Sequence, residues 1–238
     1  MNKITILFLF AFFTWITQDS KAQTVDQILQ NHFEASGQEK LSNVRSVRSS
    51  GKAIQMGTEL PFLQVQKRPD QIYLELDIQG DRMIQAYNGR EGWSVEPWLG
   101  SEPRELKGPE LNNLKQMAGV DSDLVGWREK GHELDFVGRE SSGSSEYLIL
   151  ELTKEKDEIY RFYIDSGSWL IHKMAMYSGF EGNNVEGETI MSDYRRVGGI
   201  SLPFRIEIRY GGETLMTNII DEVEFDGISE ENYFTSPL

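Results

Sequence analysis

The segment Asp121-Ser-Asp123 opens like a calcium loop, where carboxylates at alternate positions present hard oxygen ligands to one ion. The pattern breaks at once: Val125 stands where a third oxygen ligand belongs, and His132 where a glutamate should close the loop. His132-Glu133 begins a zinc-protease pattern, which needs a second histidine one helical turn on. Phe136 occupies that place, in a segment whose alternation reads as strand. Gly138-Arg-Glu-Ser-Ser-Gly143 has phosphate-loop spacing, but Ser144-Ser145 follow in place of the lysine and a strand in place of the helix. The histidines, His32, His132 and His172, are far apart in sequence, and no G-x-S-x-G elbow appears. They read as surface or satisfied structural side chains, so the expectation is a protein without catalytic residues, metal or cofactor.

One further stretch, VQKRPDQIYLELDI (Val65–Ile78), is unusual in a different way. Proline cannot donate to a strand ladder, so Pro69 belongs at a strand start, an edge or a bulge, and it pushes Arg68 into an extended conformation. Lys67-Arg68 therefore sits at a corner between two strands. A guanidinium there carries several donors that stay charged and can reach more than one acceptor. On the residues alone, Arg68 reads as a solvated corner.

The elements that position these residues follow from periodicity. Val25, Ile28, Leu29 and Phe33 recur at helical spacing behind Thr24 or Asp26 as cap, and Gly37 stops the helix. From Val47 the period changes to two, with strands expected over 45–56, 60–67, 71–79, 82–88 and 92–97; Asn88-Gly89 suits a tight hairpin turn. Pro103 to Lys130 breaks the pattern. Pro109, Leu111, Leu114, Met117 and Ala118 predict a short amphipathic helix there, with a further helical turn or two over 121–128. Strands resume over 132–140, 145–153, 158–164, 168–178, 185–196, 200–210 and 213–225.

About a dozen short strands joined by hairpins predict a mainly β (α+β) chain: an antiparallel sheet large enough to curl, its apolar face covered by helices. Two strands, Ile159–Ile164 and Trp169–Tyr177, are apolar on both faces, which predicts a cover on each side, a helix and a loop, or else an apolar cavity. The pairs Glu133/Asp135, Glu186/Glu188 and Glu222/Glu224 read as a solvated face.

Composition narrows the class. The chain has 238 residues, no cysteine and a net charge of −14. Residues 1–22, with Lys3, an apolar run from Ile4 to Trp15 and then Ser20-Lys21-Ala22, read as a signal peptide cleaved after Ala22. Its run is shorter than the roughly 20 residues that cross a bilayer, so no stable membrane anchor is expected. Cleavage removes Lys3, Lys21 and Asp19 and takes the charge to −15, leaving 23–238 as one domain. Such acidity excludes nucleic acid, disfavours anionic lipid surfaces and makes a monomer the default.

Lys67-Arg68-Pro69, Asn88-Gly89-Arg-Glu-Gly-Trp93 and Glu96-Pro97-Trp98 together resemble the LolA-like family of periplasmic lipoprotein carriers, in which a strand ending K-R-P leads to a hairpin, a D-G-type turn, a tryptophan and an aromatic-proline segment. Asn88 departs from the family's usual aspartate. The early helix, Asp193-Tyr-Arg-Arg-Val-Gly-Gly-Ile-Ser-Leu-Pro203 and the ending Tyr233-Phe-Thr-Ser-Pro237 extend the likeness over most of the chain.

The resemblance implies an incomplete, strongly curved antiparallel barrel, closed by the N-terminal helix and the helical insert. It implies that Arg68, beside Pro69, holds the lid through lid carbonyls and releases it when acyl chains enter. Candidate cargo-facing residues are Trp93, Trp98, Leu111, Leu114, Met117, Phe162, Met174 and Met176, with Met83, Met191 and Trp169 as further lining. The implied function is a periplasmic carrier of lipoprotein acyl chains or other lipid, with envelope donor and acceptor proteins unidentified. Two alternatives stand beside it: a lipid- or lipoprotein-sensing regulatory module of the same fold, and an envelope-polymer hydrolase, which would need clustered His, Asp or Glu.

Overall fold

The computed structural model describes residues 24–154, 158–178, 184–227 and 232–238; the expected leader and its cleavage site lie outside them. Helix α1 (Val25–Ser36) begins at a capping box, in which the Thr24 hydroxyl accepts from the Gln27 N–H at 3.3 Å and the Gln27 side chain accepts from the Thr24 N–H at 3.2 Å. It ends at Gly37, left-handed at φ 77°, and a single turn, α2 (Gln38–Leu41), follows. A Cβ on Gly37 would run into the Gly199 carbonyl. The corner between the helices therefore rests directly on the backbone of the sheet.

Six strands follow: β1 (Ser46–Gln55), β2 (Thr58–Lys67), β3 (Gln71–Ile78), β4 (Asp81–Tyr87), β5 (Gly92–Glu96) and β6 (Gly100–Leu106). Helix α3 (Gly108–Met117) comes next. A second meander completes the chain: β7 (Glu133–Ser142), β8 (Ser145–Thr153), β9 (Ile159–Asp165), β10 (Ile171–Ser178), β11 (Asn184–Val197), β12 (Ile200–Tyr210) and β13 (Glu213–Phe225). Among the described residues these form one antiparallel sheet, ordered β6-β5-β4-β3-β2-β1-β13-β12-β11-β10-β9-β8-β7. The first and last strands pair, so each meander contributes half of the sheet, and the edges β6 and β7 do not meet.

The inner face carries two apolar clusters. Under α1, Ile28 and Leu29 meet Leu148, Leu150, Leu152, Phe162 and Ile164, with Met174, Met176, Met191 and Trp169 around them. Under α3, Leu114 and Ala118 meet Ile72, Tyr87 and Leu106, with Leu74 and Leu111 alongside. The helices thus cover opposite halves of one face, each by burying an apolar stripe.

The outer face also has its clusters. Val65, Tyr73, Ala86 and Trp93 lie beneath Tyr233 and Phe234 of the C-terminal segment. Over β9 and β10, Tyr163, Ala175 and Tyr177 are buried, and among the described residues no loop covers them. Their cover is the strands' own cations: the Lys173 ammonium stands 4.0 Å from the Tyr163 ring centroid and the Arg161 guanidinium 4.5 Å from that of Tyr177. Both cations are paired, to Glu188 at 3.2 Å and Glu151 at 2.7 Å. Long apolar stems lie over the rings while the charged heads stay with their partners.

Three other expectations are corrected. The irregular insert begins only after β6, because an edge strand tolerates Pro103 without losing a ladder bond. Residues 121–131 are turns rather than helix, punctuated by Gly126 (φ 65°) and Gly131 (φ 74°). The strand expected from 168 starts at Ile171 because the Asp165 carboxylate accepts from the N–H groups of Gly167 (3.1 Å) and Ser168 (2.7 Å), making a turn first.

His32, buried on α1, lies 2.8 Å through Nδ1 from the Trp169 carbonyl, an arrangement that requires an Nδ1–H donor. Burial holds its pKa below the ordinary 6.5, against the opposing effect of that hydrogen bond. As pH falls through 6.5 the unfolded chain takes up this proton before the native chain does, so stability falls with acidification. The thermal midpoint is expected to drop between pH 7 and pH 5, and to drop less in His32→Gln. Gly37→Ala is expected to cost about 1–3 kcal/mol in urea unfolding, from backbone strain and the clash with Gly199.

Candidate functional site

Strand β2 places alternate side chains on the inner face, so Phe62, Gln64 and Gln66 face the helical covers, and Arg68 follows just past the strand's end. The Arg68 N–H still donates to the Arg45 carbonyl at 2.9 Å, which extends the ladder to the corner. Beyond it the Arg68–Pro69 bond is cis.

The guanidinium joins three segments. Nε donates to the Val44 carbonyl at 2.8 Å and Nη2 to the Leu41 carbonyl at 3.1 Å, holding the stretch between α2 and β1. Nη1 and Nη2 also donate to the two carboxylate oxygens of Asp121, in the turns after α3, the Nη2 bond being 2.8 Å. A forked, charge-assisted pair of this kind fixes orientation as well as distance. Asp121 accepts in addition from Gln38 Nε2 of α2 at 2.8 Å. One strand corner thereby ties both helical covers, to itself and to each other.

A second tie lies one inward residue back. Gln66 Nε2 donates to the carbonyls of Met117 (2.8 Å) and Gly119 (2.9 Å), at the C-terminal end of α3 where helical carbonyls lack partners. Reasoning from the sequence missed Gln66, Gln38 and Asp121 as latch partners. Alternation along β2 identifies Gln66 as facing inward, but nothing local marks what it would meet. Asp121 was noticed only as an incomplete calcium ligand; its charge is engaged by Arg68, and Asp123 is paired with Lys154 at 2.7 Å.

Beyond the latch the inner face opens into a cavity of about 270 Å³. Its lining comes from strands as far apart in sheet order as β4 and β12, which requires the sheet to curl. Phe62, Leu74, Leu76, Met83, Ile206, Met216 and Ile220 supply apolar walls, Met117 overhangs from α3, and Ser49, Gln64, Gln85 and Asn218 add polar positions. Flexible thioethers from three elements suit a space that must change shape.

The residues singled out from the sequence divide accordingly. Arg68 and Pro69 form the corner, Met117 reaches the cavity, and Leu111 and Leu114 anchor α3. Phe162, Met174 and Met176 sit beneath α1. Trp93 does not join them: it is buried on the outer face, and Trp98 stands exposed in the turn between β5 and β6. The three histidines fall on α1, just before β7, and on β10, where His172 stacks on Tyr147 at 4.9 Å.

Arg68→Leu is expected to destabilise the protein by about 2–4 kcal/mol, because it leaves two backbone carbonyls and a carboxylate without their donor. Asp121→Asn is expected to cost less. Urea unfolding measures both, and amide exchange at 38–45 and 117–124 should quicken. Arg68 holds the Asp121 carboxyl below its ordinary range, so its contribution is present above the unfolded value of about 4 and is lost as pH falls through the lower native value. Asp121→Asn should flatten that acid limb.

No family model matches the chain, and no curated protein matches it in sequence. Solved structures do. A LolA superfamily protein from Nitrosomonas europaea aligns with a TM-score of 0.60 at 15% identity, covering 90% of this chain and 99% of its own. A DUF1329 family protein from Desulfovibrio piger aligns at 0.60 with 14% identity, covering 87% and 96%. An outer membrane lipoprotein-sorting protein domain from Vibrio parahaemolyticus aligns at 0.59 with 10% identity, covering 87% and 97%. At these identities the likeness is one of architecture, and the architecture of this chain is the LolA-like fold.

Proposed function

We propose that this protein is a periplasmic carrier that takes acyl chains of lipoproteins, or other lipid cargo, into the inner cavity. The observation that carries the reading is the arrangement of Arg68, Asp121, Gln38 and Gln66, which fastens the end of α2 and the turns after α3 beside an apolar, methionine-lined space that α3 overhangs through Met117 without filling it. The leader at 1–22 and the structural likeness to a lipoprotein-sorting domain support export and a lipid cargo.

The energetics suit reversible loading. Separating the covers exchanges the latch hydrogen bonds for water, at about 1–1.5 kcal/mol each and more for the bonds to Asp121. Each methylene moved from water into the cavity contributes about 0.8 kcal/mol. About a dozen methylenes therefore offset an opening cost of about 9 kcal/mol, and a longer chain leaves a modest surplus. Binding remains weak enough to reverse when a better apolar environment is offered.

A fluorescent long-chain acyl probe is expected to bind the protein expressed without its leader. Gln64→Trp, which fills the cavity without removing an apolar contact, should weaken binding about tenfold or more. Arg68→Leu should alter the opening cost and with it the lipid recovered from periplasmic protein by native mass spectrometry. Protein that binds no acyl probe and is recovered empty would overturn the reading.

A further inference from the structure

We propose that the end of the sheet opposite the latch docks on the surface of a zwitterionic lipid bilayer, bringing the cavity mouth to the lipid. The inference deepens the carrier reading and rests on it for its purpose, but not for its evidence.

Following the strands places at one end, among the fully described hairpin turns, Met56-Gly57, Gln79-Gly80, residues 97–99, and Gly211-Gly212. Arg68 and the β11–β12 turn mark the other end. Met56, Trp98, Leu99, Tyr210 and Leu215 all belong to the first end, and each is at least 51% exposed. The cavity mouth lies among them, since Met216 follows Leu215 and Met83 is three residues past Gly80. Five of the eight large apolar side chains exposed among the described residues therefore stand at this one end of the sheet.

Met56 is the most telling. It is 99% exposed, at φ 51°, and Gly57 follows at φ 80°. Two consecutive positive φ values define a tight turn that favours Asn-Gly and disfavours an unbranched apolar residue at its first position. Methionine here adds backbone strain and contacts nothing within the fold. A side chain that serves neither turn nor core is placed for something outside the molecule.

The arrangement fits a bilayer better than a protein. A stable protein interface needs about 800 Å² of continuous, complementary surface on each partner. Here the apolar groups are separate points on hairpin tips, which a soft interface accepts singly. Trp98 and Tyr210 are the aromatic types that settle at the boundary of headgroups and hydrocarbon. The surrounding charges set the lipid class: Asp77 and Asp81 flank one turn and Glu213 follows another, so anionic headgroups are repelled.

Flotation of the leaderless protein with phosphatidylcholine vesicles tests this, beside vesicles containing added phosphatidylglycerol. The wild type should float with the first and less with the second. Met56→Asn should leave the thermal midpoint unchanged or raised, because asparagine suits the turn, while Met56→Asn/Leu99→Ser should lower partitioning about tenfold or more. Acyl-probe binding in solution should survive in the double variant. A wild type that binds the probe yet floats with neither vesicle overturns the docking proposal alone. So does flotation that rises with phosphatidylglycerol and persists in the double variant. A wild type that floats but binds no probe overturns the carrier reading and leaves docking standing.

Discussion

The Arg68 guanidinium is the point through which separate parts of the molecule are held in one arrangement. Its donors reach Leu41 and Val44 on one side and Asp121 on the other, segments otherwise joined through the Gln38 amide. Only a planar, permanently charged group satisfies two carbonyls and a carboxylate from one position. A lysine would bring the charge without the fork. The end of α2 and the turns after α3 are therefore fastened by the same residue at one end of the sheet, while the cavity is walled by strands alone except for Met117.

That asymmetry organises the two faces of the sheet. The outer face is finished: aromatic rings lie under cation stems in one region and under the C-terminal segment in another. The inner face is left unfinished in its middle, which α3 reaches only through Met117. Beneath α1, close packing of aliphatic side chains makes a permanent core, whereas the cavity margin is built from methionine, glutamine and a few aliphatics. Rigid and adaptable surfaces thus occupy neighbouring parts of one sheet, separated by side-chain type rather than by backbone.

Most of the architecture was legible because strand alternation, hairpin glycines and the helical stripe of α1 are local signals. The helix of the insert was found from Pro109, Leu111 and Leu114 at helical spacing. What local reading lost was whatever depends on which face a strand turns inward. Trp93 carries the same type label as a cavity tryptophan, yet its partner Ala86 sets it on the outer face. Pro103 signalled a break where an edge strand simply has no neighbour to disappoint. A holding role for Arg68 came only from the family resemblance, since a corner arginine looks solvated until the segments around it are assembled. The Arg68 donors reach carbonyls of the end of α2 and the stretch before β1, and meet the insert through the Asp121 carboxylate. Asp121 and Gln38 are 83 residues apart, and no pattern in sequence links them.

The pairing of the first strand with the last has a kinetic consequence. Val47 faces Phe225 across that seam, and α1, at the start of the described chain, packs on strands that begin only at Glu133. The earliest helix has no apolar surface to rest on until the second meander exists, and the seam itself closes one of the longest loops the chain can form. Such non-local contacts are reached late and slowly. The first meander with α3 can assemble alone, so it forms a half-sheet whose inner face waits uncovered for its counterpart. A chain delivered from its N-terminus would pass through this half-built stage every time, and its strong negative charge is then a safeguard against premature association.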